Sequence, residues 1–240
     1  MQQKVRYRST SRPTSRRRTP PAPAPADIPA AERELFENEV GRLLKPTEAK
    51  EHSKNWLGHP FFTSRIHPMF GVLLWSPKLS ALRLNDVDFF RGAGRDYAIA
   101  DLEWIVQIAI AELRDNRLAG HHIELALQNG IPVAAIRAIR EHRYDDIAAP
   151  ERDRVEYFRR VVTGRVTDKH WQKVVGRFGL RVAIELTCFA TWVVMVIRTQ
   201  QAFDVWYDGM APTDSLVGAT TDHEIDMFLN HVEDETISIT

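Results

Sequence analysis

The chain has 240 residues, 44% of them hydrophobic and 27% charged, enough for one good core with an extra arm. Its formal charge is zero, but residues 1–26 hold seven basic residues and no acidic one, leaving 25 basic against 32 acidic residues in the remainder. An acidic body is ill suited to nucleic acid, and a single cysteine, Cys188, excludes an intrachain disulfide.

Residues 1–26 are Arg, Ser, Thr, Pro and Ala with almost nothing to bury, so they are expected to form a disordered basic tail, extended in its Pro-Ala part. Its prolines oppose the amphipathic helix of a transit peptide, and it lacks the apolar core of a secretory signal. The expectation is a cytoplasmic protein, with organellar targeting by the Arg-rich tail left open. Residues 27–64 read as an N-terminal arm: a helix over 30–44, spaced by Leu35, Val40, Leu43 and Leu44 and ended by Pro46, then a loop through Trp56, His59 and Phe62. From 65 to 240 helical patterns follow one another. An apolar patch covers 68–75, and Asp96 or Asp101 is placed to cap a helix carrying Glu103. Gly130 and Pro132 end the helix of His122 and start a short one, with Pro in its first turn. Pro150 opens the next helix, Thr167 and Asp168 cap another, and Gly179 punctuates before a long helix at 180–204. Its apolar stretch, 186–197, is bounded by Glu185 and Arg198, too short to span a bilayer and expected to be a core helix with Cys188 buried in it. A last amphipathic piece covers 221–232. Helix formers dominate and no long alternating Val/Thr/Tyr run appears, so the fold class is all-α.

Two polar positions stand out in this pattern. Glu103 opens a run of Trp, Ile, Val, Ile and Ala that must be largely buried, and a carboxylate there needs a partner. Nineteen residues on, His122 stands near the start of the following helix. A carboxylate and an imidazole on neighbouring helices are the minimum equipment for acid–base chemistry without metal or cofactor. The plainer reading is a buried Glu–His pair that joins two helices. No metal is expected: His121 and His122 are adjacent rather than four apart, and no His-Glu-x-x-His or Cys cluster exists. Phosphate loop, nucleophile elbow and dinucleotide fingerprint are also missing, so no cofactor is expected.

The block resembles the core motif of the carboxymuconolactone decarboxylase and alkylhydroperoxidase D-like superfamily, with a Glu opening one helix and Cys-x-x-Cys-x-x-x-His opening the next. Glu103 and His122 take the Glu and His positions, while the two Cys positions fall on Asp115 and Leu118. The likeness runs over residues 65–206, through Leu-Ala-Leu-Gln-Asn-Gly-Ile-Pro after the His and Ala-Ile-Glu-Leu-Thr-Cys-Phe-Ala-Thr-Trp later on. It implies a helical bundle of that family and a symmetric homo-oligomer (trimer or hexamer) with the site near subunit boundaries; the acidic body and the short apolar run add the expectation of neither nucleic-acid nor membrane partners. It also implies a small carboxylated or carbonyl-containing substrate. The reaction would be decarboxylation with protonation at carbon, His122 acting as general acid or base and Glu103 orienting it. Thiol peroxidase chemistry needs both cysteines and is not expected. Leu102 stands where the family has Arg before the Glu. Isomerisation or dehydration on the same scaffold, and a binding or scaffold protein without chemistry, remain alternatives. Lesser substrate-binding candidates are His121, about 100° around the helix from His122, the loop carboxylate Asp115, Arg95 and Tyr97 as anion and hydroxyl donors, and Trp56 and His59 in the preceding loop.

Overall fold

Helices and their connections make up the described part of the protein: the computed structural model describes residues 22–44, 68–205 and 222–237, and no strand occurs among them. The all-α expectation is met. Ten α-helices are seen among the described residues: α1 Arg33–Leu44, α2 Pro68–Leu73, α3 Pro77–Arg91, α4 Ile99–Leu113, α5 Ala119–Gln128, α6 Val133–Arg140, α7 Ala149–Thr163, α8 Asp168–Phe178, α9 Leu180–Phe203 and α10 Asp222–Ile237. They fall into two units. One holds residues 96–199 and α10; the other holds the described residues up to 95 and the last turn of α9.

In the second unit α1 packs on α3. Phe36 and Leu43 of α1 are buried, and so is Glu39, because Arg42 one turn on offers it a guanidinium at 3.1 Å. The same Arg42 reaches Asp88 of α3 at 2.8 Å, tying the two helices by charge as well as by contact. Pro77 starts α3 in the first turn, where its missing N–H costs nothing. Beyond its end, Arg95 donates to the backbone carbonyls of Arg91 (2.9 Å) and Gly92, carbonyls that the finishing helix leaves without intrahelical partners.

The other unit is organised around α4. Residues 102–111 of α4 are buried without a break, which only a helix enclosed on every side achieves, and α5, α6 and α7 all pack on it. Its start is capped by Asp101, whose carboxylate accepts the Ala98 N–H at 3.0 Å. Asp96, the other expected cap, lies instead 3.5 Å from Arg181. Arg154 of α7 closes one flank: its guanidinium lies 4.7 Å over the Trp104 ring and bonds Asp101 at 2.5 Å. At the far end Arg114 adopts a left-handed φ of 51°, and the Asp115 N–H returns to the Ile110 carbonyl at 3.0 Å, turning the chain sharply into α5. Gly130, at φ 80°, ends α5. Pro132 precedes the first turn of α6 as its cap residue rather than entering that turn as expected. α10 lies on α6, with Ile225 and Leu229 buried and Arg137 and Arg140 of α6 bonded to Glu233 and Asp222.

The long helix expected at 180–204 is α9, and one expectation for it is corrected. α9 has 24 residues and by length and composition alone is long and apolar enough to cross a membrane, a test that the core helix of a soluble protein also passes. The reason is local: Arg181 and Glu185, four residues apart, bond each other at 2.9 Å and leave the first turns otherwise apolar. Cys188 is exposed, not buried. Val182, Ala183, Leu186, Phe189, Ala190 and Val193 form the buried side of α9, while Leu180, Ile184 and Cys188 repeat every four residues along its exposed side.

Candidate active site

Glu103 is in the first turns of α4 with none of its surface exposed, and His122 in the first turn of α5 is 9% exposed. A carboxylate carried on so apolar a helix must be paired, since an isolated buried charge costs several kcal/mol even after the protein relaxes around it. The short hairpin supplies the pair: His122 Nδ1 lies 2.7 Å from Glu103 Oε2, across 19 residues of sequence. A carboxylate oxygen at that distance accepts, so Nδ1 carries the hydrogen and Nε2, on the opposite edge of the ring, is the nitrogen that gains or loses a proton. Backbone geometry holds the ring in place, with the His122 N–H bonded to the Leu118 carbonyl at 3.2 Å.

Asp115 is 1% exposed in the α4–α5 turn, and its partners are local. One carboxylate oxygen accepts the Arg117 backbone N–H at 2.7 Å and the other accepts Arg117 Nη1 at 2.9 Å. It therefore acts as the staple of the turn that delivers His122 to Glu103. Leu118, at the second position where the resemblance has a cysteine, is buried. Tyr97, just ahead of α4, is also buried. Arg95 belongs to the other unit, where its bonds cap α3. Trp56 and His59 lie outside the described residues, and the side chain of His121 is likewise not described.

A residue the sequence reading passed over lies beside the pair. Gln107 is four residues after Glu103 on α4, hence on the same face one turn on, and is only 2% exposed. Its Nε2 makes no hydrogen bond. The signal was legible: apart from Glu103, Gln107 is the only polar residue between Leu102 and Ala111.

A second polar group surrounds Glu112 near the end of α4. The Tyr144 hydroxyl donates to it, Arg159 Nε bonds it at 3.1 Å, and His142, at a left-handed φ of 56°, lies 3.5 Å away. Burial, and then the bond to Glu112, hold the Tyr144 hydroxyl well above the usual tyrosine pKa. Arg159 also stacks over the Tyr144 ring at 4.6 Å. With its phenol held neutral and its cation in place, this group fastens α7 and the 144–146 turn to α4. Among the described residues no three His, Cys, Asp or Glu side chains gather as a metal site.

Set beside known proteins, the chain matches no family model, no curated protein and no solved structure.

Proposed function

We propose that the protein is an acid–base enzyme that needs no cofactor, with His122 moving the proton and Glu103 orienting it. The observation that carries this reading is the 2.7 Å Nδ1–Oε2 contact between two buried side chains. It leaves Nε2 as the working nitrogen and fixes the orientation of the ring. The substrate class is a small carboxylated or carbonyl-containing molecule. In a decarboxylation the C–C bond to the carboxylate breaks, its electron pair moves into an adjacent carbonyl system, and His122 returns a proton to carbon.

The same reading places the chain with the carboxymuconolactone decarboxylase-like proteins and their helical bundle. Support comes from the α4–α5 hairpin, with a Glu near the start of one helix and a His near the start of the next. Assembly into a homo-oligomer is part of the proposal, supported by the apolar residues Leu180 and Ile184 on the exposed side of α9.

The test is a mass-spectrometric screen of the purified protein and its His122→Ala variant against small carboxylated lactones and β-keto acids, with circular dichroism as a fold control. Loss of the mass of carbon dioxide from a substrate, abolished in the variant, is the expected result. A product of unchanged mass, or lighter by water, keeps the pair but makes the enzyme an isomerase or dehydratase. Equal turnover by His122→Ala would overturn the assignment. No turnover across the panel moves a ligand-binding or scaffold role ahead.

A further inference from the structure

Helix α3 has one side packed in its own chain and a second apolar side left open. Ser80, Leu84 and Asp88 follow one another at four-residue intervals; the first two are buried and Asp88 bonds Arg42 of α1 at 2.8 Å, so this side faces α1. Elsewhere on the helix Leu79, Leu82, Asp86 and Phe89 recur at intervals of three and four, within about 80° of its circumference. Leu82 and Phe89 are more than half exposed, at 57% and 59%, and Leu79 and Trp75, the latter two residues ahead of the helix, are 41% exposed. At ~200 Å² for a whole aromatic side chain and somewhat less for leucine, the open parts of these four come to about 350 Å² in each chain. A single exposed leucine is ordinary, but a patch of this size at the spacing of a helix seam marks a contact.

Charge decides what covers the seam. Asp86 is its one charged residue, bonded to Arg83 at 2.8 Å. A parallel copy of α3 would set Asp86 against Asp86. An antiparallel copy centred on Leu82 sets each residue against the one equally far on the other side of Leu82. Leu82 then meets Leu82, Asp86 meets Lys78, and Phe89 at one end meets Trp75 at the other. Lys78 is free to reach across, with most of its side chain exposed and Glu32 at 2.9 Å as its partner within the chain. Moving the centre to Leu84 would put Leu82 against Asp86 and lose the pairing with Lys78. We infer that α3 is a two-fold interface, on which a second copy of this chain lies antiparallel with Leu82 at the axis and Asp86 of each copy facing Lys78 of the other. With the flanking polar residues, two such patches approach the ~1,000 Å² that a specific contact covers. Because a two-fold contact uses the same surface on both copies, the chains come in even numbers, whatever α9 adds. The inference rests on the assembly part of the proposed function, gives it a contact separate from α9, and leaves the Glu103–His122 chemistry untouched.

The experiment measures the mass of the full-length protein in solution by light scattering over a range of concentrations. Wild type is expected as a dimer or a multiple of it. Leu82→Glu puts two carboxylates on the axis and should halve that mass; the site is more than half exposed, so circular dichroism should be unchanged. Lys78→Asp sets like charges together and should weaken association at least tenfold, and adding Asp86→Lys to it should restore association. In a Cys188→Ser background, oxidation with diamide should link Leu82→Cys into a disulfide dimer, because only a residue on the axis meets its own copy, and should leave Leu79→Cys unlinked. The inference is overturned by an odd number of chains in wild type, by an unchanged mass in Leu82→Glu, by a charge exchange that restores nothing, or by linkage of Leu79→Cys in preference to Leu82→Cys. Ile184→Glu on α9 separates the two contacts. If it lowers the mass and Leu82→Glu does not, assembly stands and the α3 contact falls; if wild type is a single chain, both fall.

Discussion

Removing one member of the buried pair while keeping the other gives the sharpest thermodynamic test of the site. His122→Leu leaves Glu103 fully enclosed with its main partner gone, and breaking a buried pair this way costs about 3–5 kcal/mol. Glu103→Leu leaves a neutral imidazole with a buried Nδ1 donor that has lost its acceptor, a smaller penalty of about 1–3 kcal/mol. The double variant Glu103→Leu/His122→Leu removes both demands, and apolar replacements of buried pairs are often neutral or stabilising. If the singles cost roughly 4 and 2 kcal/mol and the double roughly nothing, the coupling is about 6 kcal/mol, far above the ~0.5 kcal/mol seen between independent sites. Urea unfolding of the four proteins at neutral pH, followed by circular dichroism and tryptophan fluorescence, measures each change in midpoint with a check that the slope stays constant. Additive single losses, with the double variant the least stable of the four, would refute the claim that these two side chains depend on each other.

Two more outcomes follow from the geometry. Tyr144, whose hydroxyl is held neutral by burial and by Glu112, stays protonated in the folded protein at pH values where the unfolded chain ionises. Its contribution is therefore fully present below about pH 10, the ordinary tyrosine value, and is lost as pH rises beyond it, where the unfolded state binds fewer protons. Stability measured across that range should fall less steeply in Tyr144→Phe than in wild type; matching declines would contradict the arrangement. Cys188 lies on the same side of α9 as Leu180 and Ile184, so assembly through that side should slow its reaction with a maleimide until denaturant is added, whereas prompt labelling to about one per chain would remove that support for assembly.

Several structural choices can be traced to individual residues. The run from Leu102 to Ala111, apolar but for Glu103 and Gln107, required an enclosed helix, and Glu103 within it required a partner, so the need for something like His122 was legible in the sequence. Turn chemistry carried equally well at Gly130 and Gly179, each at positive φ. What escaped was of two kinds. α3 has exposed Leu79, Leu82 and Phe89 beside buried Leu84 and Phe90, so its apolar residues do not trace one clean face and its helical period is blurred. The exposure of Cys188 was also hidden: residue type predicts burial, but on a helix apolar nearly all round only the neighbours decide which side meets solvent.

Sequence by itself determined that this is a helical protein with a basic, proline-rich N-terminal segment, one cysteine and a carboxylate that could not stand alone in its helix. These follow from local quantities: periodicity, composition and the cost of burying charge. Tertiary structure decided the rest. It bent the chain at Arg114 so that positions 19 residues apart meet at 2.7 Å, it made the loop carboxylate Asp115 the staple of that bend, and it left the Gln107 amide buried without a bond. Each depends on which side chains the packing brings face to face, and a hydrogen bond exists only at a distance that no one-dimensional pattern contains.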